Sequence, residues 1–424
     1  MAVITATYGR FSDRLSGLTE ELIGVTIWIV APYFLLALAI AAVTDEVLPA
    51  VIPAPILFAA AIAFTLRFGE ALRGRGDLLV ISGLWTNILV FGSWAILAKT
   101  DAFAVGIVTG SVLALGAIGL TLIYGILKFA HFAHGDSMML AAYTAFLLLT
   151  GTAVGERTDT EVLPWSFNDL PGASDRLPWP DSWGGGDFSF GYGLLLALLF
   201  TVPLMALVFV VLDRLVYAPL RRRNSGIVIF AIASLGIAIS MRSFILLLWG
   251  PSPRLYAPGI RPTTDLPFDI RVVTDQIFIF FAAMIIAALV YLLLFRTKLG
   301  KAMRAMSDNP ELARVSGVNT DQIITWTWVI SGALVGIAGV MLALQAQLKP
   351  ELGFVLLLPL FAATILGGIG SPQGAFVGGM IVGISQEVAV TLGFISPGYK
   401  FSVAFVILIL ILLVRPRGLF GTKT

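Results

Sequence analysis

No cysteine occurs among the 424 residues, which excludes disulfides, thiolate metal sites and cysteine nucleophiles. Histidine is nearly absent too: two residues leave little that titrates near neutral pH. Charged residues make up only 12% of the chain, about half the roughly 25% usual in soluble domains, while 58% are hydrophobic. A soluble globular protein is ruled out. The net charge of +2 provides no electrostatic footprint for nucleic acid, and the period-two alternation of a membrane β-barrel is missing. A phosphate loop is missing as well, since the Gly300-Lys301 pair is followed by Ala302 where that motif needs Ser or Thr. Any ATP and magnesium must be handled by another chain, and no cofactor or metal is expected on this one.

What is present is a series of apolar segments near 22–43, 47–66, 78–98, 103–127, 136–150, 191–216, 226–249, 274–295, 322–345, 354–369, 373–393 and 400–414. They predict an all-α, polytopic helical membrane protein of about 11–12 transmembrane or re-entrant segments. Segments 136–150, 354–369 and 400–414 are short for a core that needs roughly 20 helical residues, so re-entrant or broken helices are expected there. The first stretch is longer than a signal-peptide core and lacks a cleavage site, so it counts as a retained span. With the N-terminus cytoplasmic, and Arg214 and Lys400 at segment ends counted with the connections beside them, 18 of the 27 Lys and Arg residues fall inside and 8 outside, with Arg242 within a span. This satisfies the positive-inside rule and makes both termini cytoplasmic. The acidic connection 151–190, rich in Pro, Trp and Gly, is expected outside, as an irregular cap or a plain linker.

Two regions interrupt the apolar pattern: Lys128 to Asp136, which holds His131, His134 and Gly135, and Leu366 to Gly374, which holds Gly367, Gly368, Gly370 and Ser371. Glycine and polar residues at membrane depth mark interrupted helices, whose free backbone groups need a cavity or a protein partner. The two regions are expected to meet and line a solute path, and they hint at two related halves. Small residues four apart, such as Gly106 and Gly110 or Gly332 and Gly336, fit close helix packing. Asp136 and Glu387 are carboxylates placed in apolar segments, where a charge near mid-bilayer costs on the order of 2.5–3.5 kcal/mol. Each either lines a polar pathway or has a local role: a helix N-cap for Asp136, a neutral hydrogen-bonded group for Glu387. His131 and His134 share a helical face, but two ligands do not make a zinc site. Segment 296–321 is the longest cytoplasmic connection, basic in its first half, with a helix start at Asp308 to Glu311. It is either a docking site for a cytoplasmic partner or a juxtamembrane helix.

These residues resemble the membrane permeases of bacterial ABC importers for branched-chain amino acids, in particular the H-type member of the permease pair. The resemblance rests on Gly119 to Gly125, Phe132 to Asp136 with Met139 to Tyr143, Asn309 to Asp321, Leu366 to Ser371, and Arg415 to Gly421. It covers about residue 103 to the end, leaving residues 1–100 as accessory transmembrane segments before a permease domain at 101–424. Within 296–321, Glu311, Leu312 and Ala313 followed by Gly317 are similar to the coupling loop such importers insert into their ATPases. The resemblance implies a bacterial inner-membrane complex with a second permease, two cytoplasmic ATPase subunits and a periplasmic solute-binding protein. The chain itself is then no enzyme. It would carry a small polar solute, an amino acid or, in related permeases, urea or an amide. A proton-coupled secondary carrier relaying protons through Asp136, Glu387 and the histidines is the alternative of another class, and such a carrier has no use for a coupling segment.

Overall fold

A computed structural model describes residues 100–420, apart from 156–157, 181–185, 258, 260, 267–269, 392–395 and 415–417. The expected accessory segments at 1–99 lie outside the described residues, as do Arg415 to Arg417 and Gly421 of the C-terminal motif. The chain divides into two units, Met1–Phe103 and Ala104–Thr424, and the second is described below together with the start of its first helix.

Hydrocarbon offers backbone groups no partners, so each apolar run forms a helix that bonds within itself. The helices are α1 (Thr100–Leu127), α2 (His134–Thr150), α3 (Tyr192–Arg222), α4 (Ile227–Trp249), α5 (Thr274–Arg296), α6 (Lys298–Asp308), α7 (Pro310–Val315), α8 (Thr320–Gln345), α9 (Leu352–Gly367), α10 (Pro372–Val390) and α11 (Lys400–Val414). Five of them, α1, α3, α4, α5 and α8, are long and apolar enough to cross a membrane. Within their most apolar windows, α1 and α8 are 72% and 83% buried, against 33%, 22% and 22% for α3, α4 and α5. The first two therefore form the core of the bundle and the other three its rim. Glycines set the close crossings: Gly332 and Gly336 of α8 face the backbone of α3 at Ala206 and Val202, and Gly106 and Gly110 of α1 face α10 at Ile384 and Met380.

Four-residue strands, too short and polar to register in the apolar pattern, add two antiparallel hairpins. In one, β1 (Thr152–Gly155) pairs with β2 (Thr158–Glu161), with Thr152 opposite Glu161; in the other, β3 (Thr263–Leu266) pairs with β4 (Ile270–Val273), with Thr263 opposite Val273. Apart from a 3-10 turn at Phe167–Asp169, the other described residues of 151–190 are irregular yet anchored. Both the amide and the hydroxyl of Ser189 donate to the buried Asp275 carboxylate at the start of α5, and Phe167 stacks on Phe200 of α3.

Contacts between chain ends fix the two ends of the bundle. At one, Gln345 donates to Thr109, Trp249 donates to the Thr152 carbonyl, and Arg254 bridges Leu348. At the other, Lys128 donates to the Ser307 carbonyl and Leu419 to that of Leu366.

Candidate functional site

Helices α1 and α8 each run the height of the bundle, and each is followed by non-helical chain that turns back into it, 128–133 and 346–351. Lys128 opens the first turn in a left-handed conformation, φ 59°. The helix that follows does not begin at the bundle's end. The His134 Nε2 lies 2.8 Å from the Gly116 carbonyl oxygen, and Gly116 precedes Leu127 by eleven residues, about 16 Å of helix. Thus α2 starts at mid-depth and runs to the end that holds Thr152 and Trp249. On the same level α9 begins. The backbones of Gly135 and Gly353 touch so closely that a Cβ on either would overlap the other's carbonyl group. From there α9 runs the opposite way, with Leu360 against Gly116 and the turn after it bonded through the Gly370 amide to Thr121, 2.9 Å. Two half-helices of 17 and 16 residues therefore abut by their N-termini at mid-depth. This is the arrangement of an inverted structural repeat.

The expected meeting of 128–136 with 366–374 is replaced by a meeting of 134–136 with 351–357. Gly353 and Gly367 are fourteen residues apart on α9, so Gly367, Gly368, Gly370 and Ser371 sit about 21 Å from the half-helix junction. They form the elbow between α9 and α10. Gly368 and Gly370 hold φ of 104° and 85°, the Ser371 hydroxyl accepts from the Gly374 amide at 3.2 Å, and the Phe420 amide donates to the Gly367 carbonyl. The motif at 366–371 is thereby brought against the C-terminal one.

Asp136 is not the N-cap of α2. That position is Ala133, without a side-chain bond, and the Asp136 carboxylate turns to Arg242 of α4. The Nε and Nη2 of Arg242 donate to Oδ1 at 3.0 and 2.9 Å, and Nη2 also donates to Oδ2 at 3.0 Å. The Asp136 side chain is 1% exposed and that of Arg242 24%. The guanidinium carbon lies 4.7 Å from the centre of the Phe354 ring, on the first turn of α9. One ion pair thus ties together α2, α4 and α9.

His131 and His134 face away from this pair into an aromatic box. The His131 ring centre is 5.4 Å from Trp328, 5.7 Å from Phe209, 5.8 Å from Tyr217 and 5.8 Å from His134. A π-helical stretch of α3, Asp213–Tyr217, presents Tyr217 to the box, and Arg221 clamps it through Asp213 at 2.7 and 2.9 Å. Both ring nitrogens of His131, the Nδ1 of His134, the Tyr217 hydroxyl and the Trp328 indole nitrogen are buried without a hydrogen-bond partner. Among the described residues no three of His, Asp and Glu stand together as a metal site.

Glu387 lies apart, near the end of α10. Its Oε1 accepts from Thr109 at 3.0 Å and from Lys400 at 2.8 Å. Thr109 is about 10 Å along α1 from the level of Gly116.

At the opposite end, α6 and α7 form two short helices. The Asn309 side chain caps α7 by accepting from the Leu312 amide at 3.0 Å. Ala313 is buried, Leu312 and Val315 are 63% and 86% exposed, and Glu311 is exposed. Gly317 takes the left-handed conformation that ends the helix, φ 84°, with open space around it. Ser307 of α6 donates to the Gly125 carbonyl at 3.1 Å and its own carbonyl accepts from Lys128 at 2.9 Å, so this segment grips the turn that leads to α2.

Sequence reasoning did not assign Arg242, Tyr217, Trp328 or Phe354. Arg242 carried a usable signal: a basic residue in mid-span needs a buried acid, and Asp136 was among the few available. Tyr217, Trp328 and Phe354 look like ordinary members of apolar runs.

A family model described as branched-chain amino acid transport system / permease component matches residues 102–412. Among similar curated proteins, the high-affinity branched-chain amino acid transport system permease protein LivH of Salmonella typhimurium is 29% identical over 322 residues, 74% of this chain and 93% of that protein. The corresponding protein BraD of Pseudomonas aeruginosa is 30% identical over 321 residues, 74% of this chain and 94% of its own. The galactose/methyl galactoside import permease protein MglC of Escherichia coli is 32% identical over a shorter 114 residues, 27% of this chain and 33% of its own. No solved structure matches significantly.

Proposed function

The chain belongs to the branched-chain amino acid transport system permease family, and we propose that it forms half of an inner-membrane path through which an amino acid is imported. It is a membrane subunit of an ABC importer and not an enzyme; ATP is hydrolysed on a separate subunit. In our reading the assembly contains a second permease, two ATPase subunits and a periplasmic solute-binding protein. The face carrying Lys128, Arg222, Arg223, Lys298, Lys301 and Arg304 is cytoplasmic by the positive-inside rule, and the 151–190 cap faces out.

The observation that carries this reading is the link between the two candidate regions. The exposed Leu312 and Val315 offer an apolar knob to an ATPase groove, and Ser307, in the same segment, holds Gly125 and Lys128. A push on α6 and α7 is transmitted to the 128–133 turn and so to the abutting half-helices. His131, His134, Gly135 and Asp136 belong to this gate. Gly367, Gly368, Gly370 and Ser371 act as the elbow about which α9 and α10 move, and Glu387 latches the outer end through Lys400.

Val315→Asp tests the dock without touching the fold, because the side chain is 86% exposed. In vesicles holding the whole complex, with ATP and a protonophore present, the parent should import its amino acid and Val315→Asp should lose at least about ten-fold of that uptake. Undiminished uptake by the variant would move the dock elsewhere. Abolition of the parent's uptake by the protonophore would favour a proton-coupled carrier.

A further inference from the structure

Arg242 and Phe354 pose a problem that transmission of movement does not solve. The Arg242 side chain is 24% exposed, yet it lies at mid-depth, where a cation facing hydrocarbon costs on the order of 2.5–3.5 kcal/mol. Asp136 engages Nε and Nη2 from inside the bundle, and Nη1 makes no hydrogen bond to the described residues. Phe354, which the guanidinium overlies, is 50% exposed. One turn before it, at the N-cap of α9, stands Glu351, also exposed and making no side-chain cap bond. Residues three apart on a helix share a face, with Cβ atoms about 5–6 Å apart. A cation with a spare donor, an aromatic ring and a carboxylate thus open on one side at mid-depth.

We infer that Arg242, Phe354 and Glu351 form a solute subsite for an apolar α-amino acid in zwitterionic form. The free Nη1 edge of Arg242 donates to the solute carboxylate, and Glu351 accepts from its ammonium group. Phe354 packs against its apolar side chain. Asp136 is the positioning residue: it holds two guanidinium nitrogens and so fixes the fork with its remaining edge outward. The inference rests on the reading of the chain as an amino-acid permease, and it adds which groups take hold of the solute and how.

Because the chain contains no cysteine, Phe354→Cys provides a single reporter on this subunit; it gives up the ring but keeps Arg242 and Glu351, the two charged groups on which the protection is read. Its labelling by a small, polar thiol reagent is followed in the complete complex in lipid nanodiscs, with L-leucine, 4-methylpentanoate (the carboxylate without the ammonium) or isoamylamine (the ammonium without the carboxylate). The reporter should be reached by the reagent, and millimolar leucine should slow labelling at least about five-fold, with a smaller effect from each half-molecule. Removing Arg242 alone leaves Asp136 buried and unpaired and risks misfolding. The paired change Asp136→Asn with Arg242→Gln avoids that, and there 4-methylpentanoate should lose its effect while isoamylamine keeps it. Glu351→Gln should give the reverse pattern. A reporter that is inert, or equally labelled with and without leucine, overturns the subsite. So does protection by 4-methylpentanoate that survives the paired change. Failure of ATP-driven uptake by the unsubstituted complex would instead strike at the permease reading, so the two failures are separable.

Discussion

The two turns that interrupt the bundle, 128–133 and 346–351, do the same thing with the backbone and opposite things with charge. Each follows a full-length helix, and each delivers a half-helix to the Gly135 and Gly353 contact. The first helix then carries Asp136, fully buried and held by Arg242, beside a box of buried rings. The second starts with Glu351, which stands exposed. They are also tied to different ends of the bundle, the first to Ser307 of α6 and the second, through Leu348, to Arg254. Backbone symmetry with chemical asymmetry suits the two-sided gate proposed above, in which one arm answers to the segment around Ser307 and stays sealed, while the other offers its charge to the path.

Breaking what the arms share should have the largest effect. Alanine at Gly135 or Gly353 drives a methyl group into the facing backbone rather than into a flexible side chain, so relief requires moving a whole helix. Each substitution is expected to cost about 3 kcal/mol, the upper part of the usual overpacking range, read as loss of monodisperse complex and of thermal stability. Tolerance at both sites would mean that the half-helices do not abut. Next comes the charge that the first arm buries. Arg242→Gln strands a buried carboxylate and is expected to cost about 3 kcal/mol, the low end for such pairs because the arginine is partly exposed. Asp136→Asn should cost less, since the cation it frees already has an open side. The double substitution should recover about 1 kcal/mol or more of the summed loss, measured as a double-mutant cycle on thermal stability. Simple additivity would show that the pair is not coupled.

The apolar runs located the helices well: 136–150, 354–369 and 400–414 became His134–Thr150, Leu352–Gly367 and Lys400–Val414. The shortness of the first two was the legible trace of their starting at mid-depth. What was not legible was the partner of the first turn. Glycines at 366–374 drew attention because they are rare backbone types at membrane depth, but they serve an elbow where α9, α10 and the C-terminal Gly418 and Phe420 crowd together. The true counterpart carries Gln347, Lys349, Pro350 and Glu351, a polar stretch indistinguishable from an ordinary loop between spans. Asp136 and Arg242 could be matched by the rarity of charge in the runs. The aromatic box could not, because Phe209, Tyr217 and Trp328 come from α3 and α8 at positions that look like any apolar face. The hairpins at 152–161 and 263–273 escaped because their strands are too short to build a periodic pattern.

The smallest effect is expected where the arms differ most. Glu351 occupies the N-cap position of α9, where an anion favours the helix dipole by typically 0.3–1 kcal/mol at an exposed site. It makes no cap hydrogen bond, and its exposure already screens that term. Glutamine retains the shape and a side-chain acceptor, so Glu351→Gln should change stability by no more than about 0.5 kcal/mol, the usual range for a surface substitution away from special features. Thermal unfolding of the purified complex, scored beside Asp136→Asn in the same preparation, makes the comparison direct. If both carboxylates were there only to counter the positive ends of their half-helices, the two amides would cost alike. If Asp136 is instead bound into the bundle and Glu351 is free to meet a solute, Asp136→Asn lowers stability and Glu351→Gln leaves it in place. A loss at Glu351 equal to that at Asp136 would erase the asymmetry and leave a gate with two structural arms.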